Sequence, residues 1–232
     1  MMKACDGHYE NVAVSTSHHL AEICMVAYYL TGMSISENAF ARFEYRVPEI
    51  ILRENADKVQ LIIQHPDKCG HIPSAERKKT LEQYQGALLG FLIQKMSGPF
   101  AGVAVAMRED SDFDCIIRGI IENKIVYRRV QLKQVPCHRL NPTVTLNEVI
   151  GNASKYGNAP DLIVAVWINR DVKFKLAEVD VKRLQIGQLF LLGDRDDGAV
   201  EIHGGTLQDW RSGHVWNGVL QDLEMKVKVI SF

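Results

Sequence analysis

Residues 126–135, VYRRVQLKQV, carry an amide and an ammonium two positions apart, Gln131 and Lys133. Side chains alternate along a strand, so there these two share one face while Val130 and Leu132 share the other. Acids that can answer them lie just upstream, in EDSDFDCIIRGIIENK. A tight reversal at Glu122-Asn123 sets Asp114 opposite Gln131 and Asp112 opposite Lys133. Moving the loop by one residue sets Asp114 opposite Lys133 instead. Both registers keep acid, amide and ammonium on one face. The loop is not an Asn-Gly type, and Gly119 could introduce a bulge.

Such a constellation has a chemical use. A hard divalent cation such as Mg²⁺ takes oxygen ligands: a carboxylate, an amide or backbone carbonyl, and waters. A metal-activated water and a neutralised phosphate are what phosphodiester hydrolysis needs. A lysine beside the metal can orient the water or stabilise developing negative charge. Leu132, between the two polar residues, points away into the core.

The elements that must position these residues can be read from periodicity and caps. SHHLAEICMVAYYL has helical spacing, and SISENAFARFEYR opens with Ser34 and Glu37 in capping-box spacing. Pro48 suits the first turn of a helix over 48–64. HPDKCGHIPS is a loop. The segment 75–96 is the clearest helix, with Leu81, Tyr84, Leu88, Phe91 and Leu92 as its stripe. Strands are expected at FAGVAVAM, FDCIIRGI and KIVYRRVQLKQV. A helix then starts at Thr145 with Glu148 and stops at Gly157. DLIVAVWINR is apolar throughout its middle, the pattern of a strand buried on both faces. Shorter strands follow at QLFLLGD, GAVEIHGG, HVWNGVL and EMKVKVISF.

With this order of elements, Asp114, a hairpin and Gln131-Leu132-Lys133 resemble the motif of the PD-(D/E)xK, restriction-endonuclease-like nuclease superfamily. The order helix, three strands, helix, strand over roughly 76–170 is similar to that family's common core. The resemblance implies a mixed α/β sheet flanked by helices over 74–172. An N-terminal helical segment over 1–73 would precede it and a β-rich extension over 173–232 would follow, possible as one domain. It implies that Asp114 is the metal-binding acid, that Gln131 fills the (D/E) position and that Lys133 is the lysine of the motif. Glu82, which shares its helix face with Leu89 and Ile93, would be the acid that many members place on the preceding helix. Glu44 and Glu49 are poorer candidates for that role. The implied cofactor is Mg²⁺ or Mn²⁺, the implied substrate nucleic acid, with DNA expected, and the implied assembly a homodimer. The chain departs from the pattern twice: Gln131 is neutral, which weakens metal binding, and Phe113 stands where the motif has proline.

Arg118, Lys124, Arg128 and Arg129 make the hairpin locally basic in a chain of net charge -1, a composition suited to phosphate contact. An exposed basic edge strand that blocks aggregation has the same composition. The polar face itself has an ordinary reading, a solvated hairpin face with a surface ion pair, and Glu82 reads equally as a solvent-facing helix residue. Two further classes stay open. One is a nuclease-fold module without catalysis, binding nucleic acid or protein. The other is an unrelated α/β domain in which Glu82, Asp114 and Lys133 do not converge.

Weaker signals read as structure. His65, Cys69 and His71 lack a second ligand pair for zinc. His18-His19 and Cys137-His138 are isolated, and LLGDRDDGAVEIHGG lacks the calcium ladder of an EF-hand. With 47% hydrophobic and 24% charged residues the composition is that of a globular protein. The expectations are no membrane span, no secretory signal and a cytoplasmic chain whose five scattered cysteines are free thiols.

Overall fold

The computed structural model describes residues 37–64, 70–96, 101–108, 110, 112–136, 138, 141–169, 174–194, 199–221 and 224–229. The expected helix at SHHLAEICMVAYYL and the Ser34 cap lie outside them. Within them the helices are α1 (Glu37–Phe40), α2 (Pro48–Gln64), α3 (Ser74–Met96), α4 (Leu146–Gly151) and α5 (Leu207–Ser212). The strands are β1 (Ala101–Met107), β2 (Cys115–Ile121), β3 (Lys124–Val135), β4 (Ala159–Ile168), β5 (Ile186–Asp194), β6 (Val200–Thr206), β7 (Trp216–Gln221) and β8 (Glu224–Val229). All eight form one sheet whose spatial order is the chain order. β3–β4 and β4–β5 pair in parallel and the other neighbours antiparallel, so this is a mixed α/β fold. The strands after residue 173 continue the sheet of the 74–172 segment.

The sheet curls around α3. The first turns of that helix are polar, but from Ala87 to Ile93 Ala87, Leu88, Leu89, Phe91, Leu92 and Ile93 are all buried. A helix that is apolar on every side needs cover on every side. Here it comes from α2 and from every strand up to β7, including Val105, Cys115, Leu132, Trp167, Phe190, Ile202 and Trp216. Gly90 lets α3 come close to β1: a Cβ there would lie 2.7 Å from Val105 Cγ2.

A second apolar layer covers the other side of the sheet, built by Val149 and Ile150 of α4, Leu207 and Trp210 of α5, and the alternate residues of β4 and β5. β4 is buried on both faces, as its continuous apolar run requires. The parallel step from β3 to β4 needs a crossover, supplied by α4 and a 3₁₀ turn over Asn152–Tyr156. Both halves of the Thr145–Glu148 capping box are formed at the start of α4. α5 has a matching box, Thr206 with Asp209, not anticipated from the sequence.

Two expectations are corrected. The helix expected over 34–46 holds only to Phe40. The chain then extends, and Arg46 pairs with Val105 of β1 through two backbone hydrogen bonds of 3.0 and 2.9 Å. Pro48 disfavours helical geometry in the residue before it, and Phe43 and Tyr45 are drawn onto an aromatic cluster with Phe40, Phe113 and Tyr127. Gly119 makes no bulge, since β2 and β3 pair without interruption from Ile121↔Lys124 to Cys115↔Val130. Gly90→Ala is expected to destabilise the fold by about 1–3 kcal/mol through overpacking of α3 on β1, read as a lower urea midpoint with an unchanged slope.

Candidate active site

The β2–β3 reversal is the two-residue turn Glu122-Asn123, with φ 48° and 62°. Positive φ at both central positions matches the right-handed twist of a hairpin, here without the usual glycine. The turn fixes the register and brings Asp114 beside Gln131. The Asp114 amide donates to the Val130 carbonyl at 2.8 Å, one step out of the ladder register. The ladder therefore ends at Cys115, and Asp112, which the same register would carry on to Lys133, is exposed.

Asp114 Oδ2 accepts from two donors of β3: the Gln131 side-chain amide and the Leu132 backbone N–H at 2.7 Å. Gln131 is only 5% exposed. Its carbonyl oxygen accepts from the Tyr156 hydroxyl at 2.7 Å. Acid, amide and phenol thus form one hydrogen-bonded row across β2, β3 and the crossover. Lys133 follows on the same face, half-buried, with Nζ 5.5 Å from the centre of the Tyr156 ring. Burial lowers the Lys133 pKa. The Asp114 carboxylate opposes that shift, the Lys78 ammonium adds to it, and the Glu82 carboxylate opposes it again.

Glu82 reaches this place from α3. Its carboxylate is 23% exposed, with Lys78 Nζ at 3.5 Å one helical turn back. The fully buried Cys115 thiol is pushed up mainly by burial, then by the Asp114 and Glu82 charges. Both carboxylates therefore act on one neighbourhood. The polar face is partly buried, and Lys133 and Cys115 each lie within electrostatic reach of both Asp114 and Glu82. Glu44 and Glu49 stand elsewhere: Glu44 lines a cavity against β1, and Glu49 Oε2 is buried with no hydrogen-bond partner. Gln134 is exposed on the opposite strand face.

The basic residues of the hairpin, expected to suit phosphate contact, do not form a continuous exposed strip. The Arg118 guanidinium lies 4.6 Å over the Tyr45 ring. Arg128 is buried, donates to the Tyr127 carbonyl at 3.1 Å, and has its pKa lowered by that burial. Arg129 grips the buried Asp161 in a two-point contact of 2.7 and 2.9 Å. Lys124 is exposed but sits at the turn, seven residues along β3 from Gln131 and thus about 23 Å away at ~3.3 Å per residue.

Compared with protein-family models and with curated proteins, the chain matches none.

Among the described residues no three His, Cys, Asp or Glu side chains gather as a metal centre. The oxygen donors at this place are two carboxylates and one amide. His65, Cys69, Cys137 and His18-His19 lie outside the described residues, while His71 and His138 are exposed. Tyr156 is the site residue missed by sequence reasoning. It sits 25 positions beyond Gln131, and only the return of the crossover over β3 brings it there.

Gln131→Glu tests the row. It would replace the donor to Asp114 with a second carboxylate, raising the pKa of the pair in the folded state. The variant is expected to lose about 1–3 kcal/mol at pH 7. A raised carboxyl pKa costs stability only above the unfolded value, so the deficit should disappear below about pH 4. Urea melts at the two pH values check both statements.

Proposed function

We propose that the protein is a Mg²⁺- or Mn²⁺-dependent nuclease of the restriction-endonuclease-like class, hydrolysing phosphodiester bonds of nucleic acid, with DNA as the expected substrate. The observation that carries this reading is the meeting of Asp114, Gln131 and Lys133 on one half-buried face that the Glu82 charge also reaches. The order helix, three strands, helix, strand over 74–168 supports it.

The donor set suits a hard cation: the carboxylates of Asp114 and Glu82, with the Gln131 carbonyl oxygen joining them once the amide is turned end for end, all oxygen ligands. When bound, the metal would supply an activated water and neutralise phosphate charge. The protein's own groups do the rest. Asp114 is held in place by the Leu132 N–H and the Gln131 amide. Tyr156 steadies that amide, and its hydroxyl can donate or accept, so it serves the amide in either orientation. Lys133, with its pKa lowered by burial, is an amine able to hold a water by hydrogen bond and to exchange a proton with it. Two copies would be needed to cut both strands of a duplex at once.

One observation favours a second reading, a nuclease-fold module without catalysis. The Gln131 amide donates to Asp114, so the acid is satisfied within the chain itself. Metal binding separates the two. On the nuclease reading Mn²⁺ binds in calorimetry and Asp114→Asn weakens it at least tenfold. Labelled duplex, single-stranded and branched DNA and RNA, incubated with Mg²⁺ or Mn²⁺, then identify the substrate. Lys133→Ala is expected to slow cleavage by about 10²–10⁴-fold. Absence of both Mn²⁺ binding and cleavage would replace the nuclease with the binding module.

A further inference from the structure

Phosphate contact, if the hairpin arginines do not provide it, has to come from another surface. A cavity of about 480 Å³ opens between residues 42–46, β1 and α3. Three arginines line it, Arg42, Arg46 and Arg108, and Glu44 stands on the same wall. The segment carrying Arg42 and Arg46 is fixed by the paired backbone of Arg46 and Val105. Arg46 is neutralised by Glu54 at 2.6 Å. Among the described residues neither Arg42 nor Arg108 pairs with a carboxylate. The Arg108 guanidinium lies 4.7 Å over the Phe43 ring. Stacking holds its plane and leaves the N–H edges for a planar, two-point acceptor such as phosphate.

The cavity adjoins the candidate site through two elements. The Arg108 backbone N–H donates to the Asp114 carbonyl at 3.2 Å, and opposed strand residues stand about 5 Å apart at Cα. Gln83, on the cavity wall, follows Glu82 on α3. We propose that this cavity holds the sugar–phosphate backbone of the strand cut at Asp114, with Arg42 and Arg108 neutralising its phosphates. This inference rests on the nuclease reading for what happens next to it, but not for binding.

The test is equilibrium binding of fluorescein-labelled DNA to the full chain in EDTA, by anisotropy across a salt series. Loss of two phosphate contacts in Arg42→Ala/Arg108→Ala should weaken binding at least tenfold at about 100 mM salt. It should also flatten the plot of log K against log salt by about 1.4 for a single strand or 1.8 for a duplex. Glu44→Gln should tighten binding severalfold, a gain that misfolding cannot imitate. Deoxyadenosine monophosphate, which shares the phosphate chemistry, should displace the DNA only at far higher concentration. No binding by the wild type, unchanged affinity and slope in the double variant, or equally tight binding of the mononucleotide would each overturn the proposal. DNA bound through these arginines but never cut would keep the cavity and remove the nuclease. Metal-dependent cutting that the double variant performs and binds like wild type would remove the cavity alone.

Discussion

The structure depends on burying the second half of α3. Six apolar residues between Ala87 and Ile93 leave that part of the helix no face for water, and each fully buried Leu or Phe contributes about 1.5–3 kcal/mol when removed from it. No single neighbouring element can cover such a helix, so the sheet curls around it and strands from β1 to β7 share one core with it. The site follows from this arrangement. With its apolar half held in the sheet, α3 carries its polar half past the end of β2. Glu82 lies about one turn before the buried run, and its charge reaches Cys115, as that of Asp114 does.

At the site, the hydrogen-bonding capacity of one amide is divided between an acid and a phenol. Gln131 is buried, and leaving either end of its amide without a partner would cost about 1–3 kcal/mol. Its nitrogen faces Asp114 and its oxygen faces Tyr156. A glutamate in this place could not donate to Asp114, so the neutral residue suits this hydrogen-bonded arrangement. The cation beside it is set differently. Lys133 is withdrawn from water, and two carboxylates only partly offset that loss. It shares the Tyr156 ring with Lys155, whose Nζ lies 5.1 Å from the ring centre. Arg129 shows what full compensation looks like, with two hydrogen bonds to Asp161 on the next strand and a raised pKa.

Where local pattern decides the structure, the sequence was readable. β3 begins and ends where its alternation and flanking turn place it, and the parity argument that set Gln131 and Lys133 on one face needed only the period of a strand. The Thr145–Glu148 cap announced its helix. Distant contacts were not readable in the same way. Phe43 has helical spacing with Phe40, yet packing against Phe113, just before β2, and Tyr127 of β3 draws it and Tyr45 out of a helix. Arg128 and Arg129 read as groups for phosphate contact because nothing near them in the chain announces Asp161, 32 residues beyond Arg129. Tyr156 was silent for the same reason: a crossover, not a spacing, aims it at Gln131.

Because the strands line up in space as they do in the chain, the molecule can assemble in the order in which it is synthesised. Every polar residue of the site, from Glu82 to Tyr156, precedes β4. Phe190, Ile202 and Trp216, which finish the covering of α3, come afterwards. A nascent chain that has reached Ile168 therefore carries the whole chemical constellation on a helix still open to water along one side. During that interval the growing polypeptide presents apolar surface, the kind that chaperones hold, and its row of polar side chains has been synthesised before the strands that complete the cover.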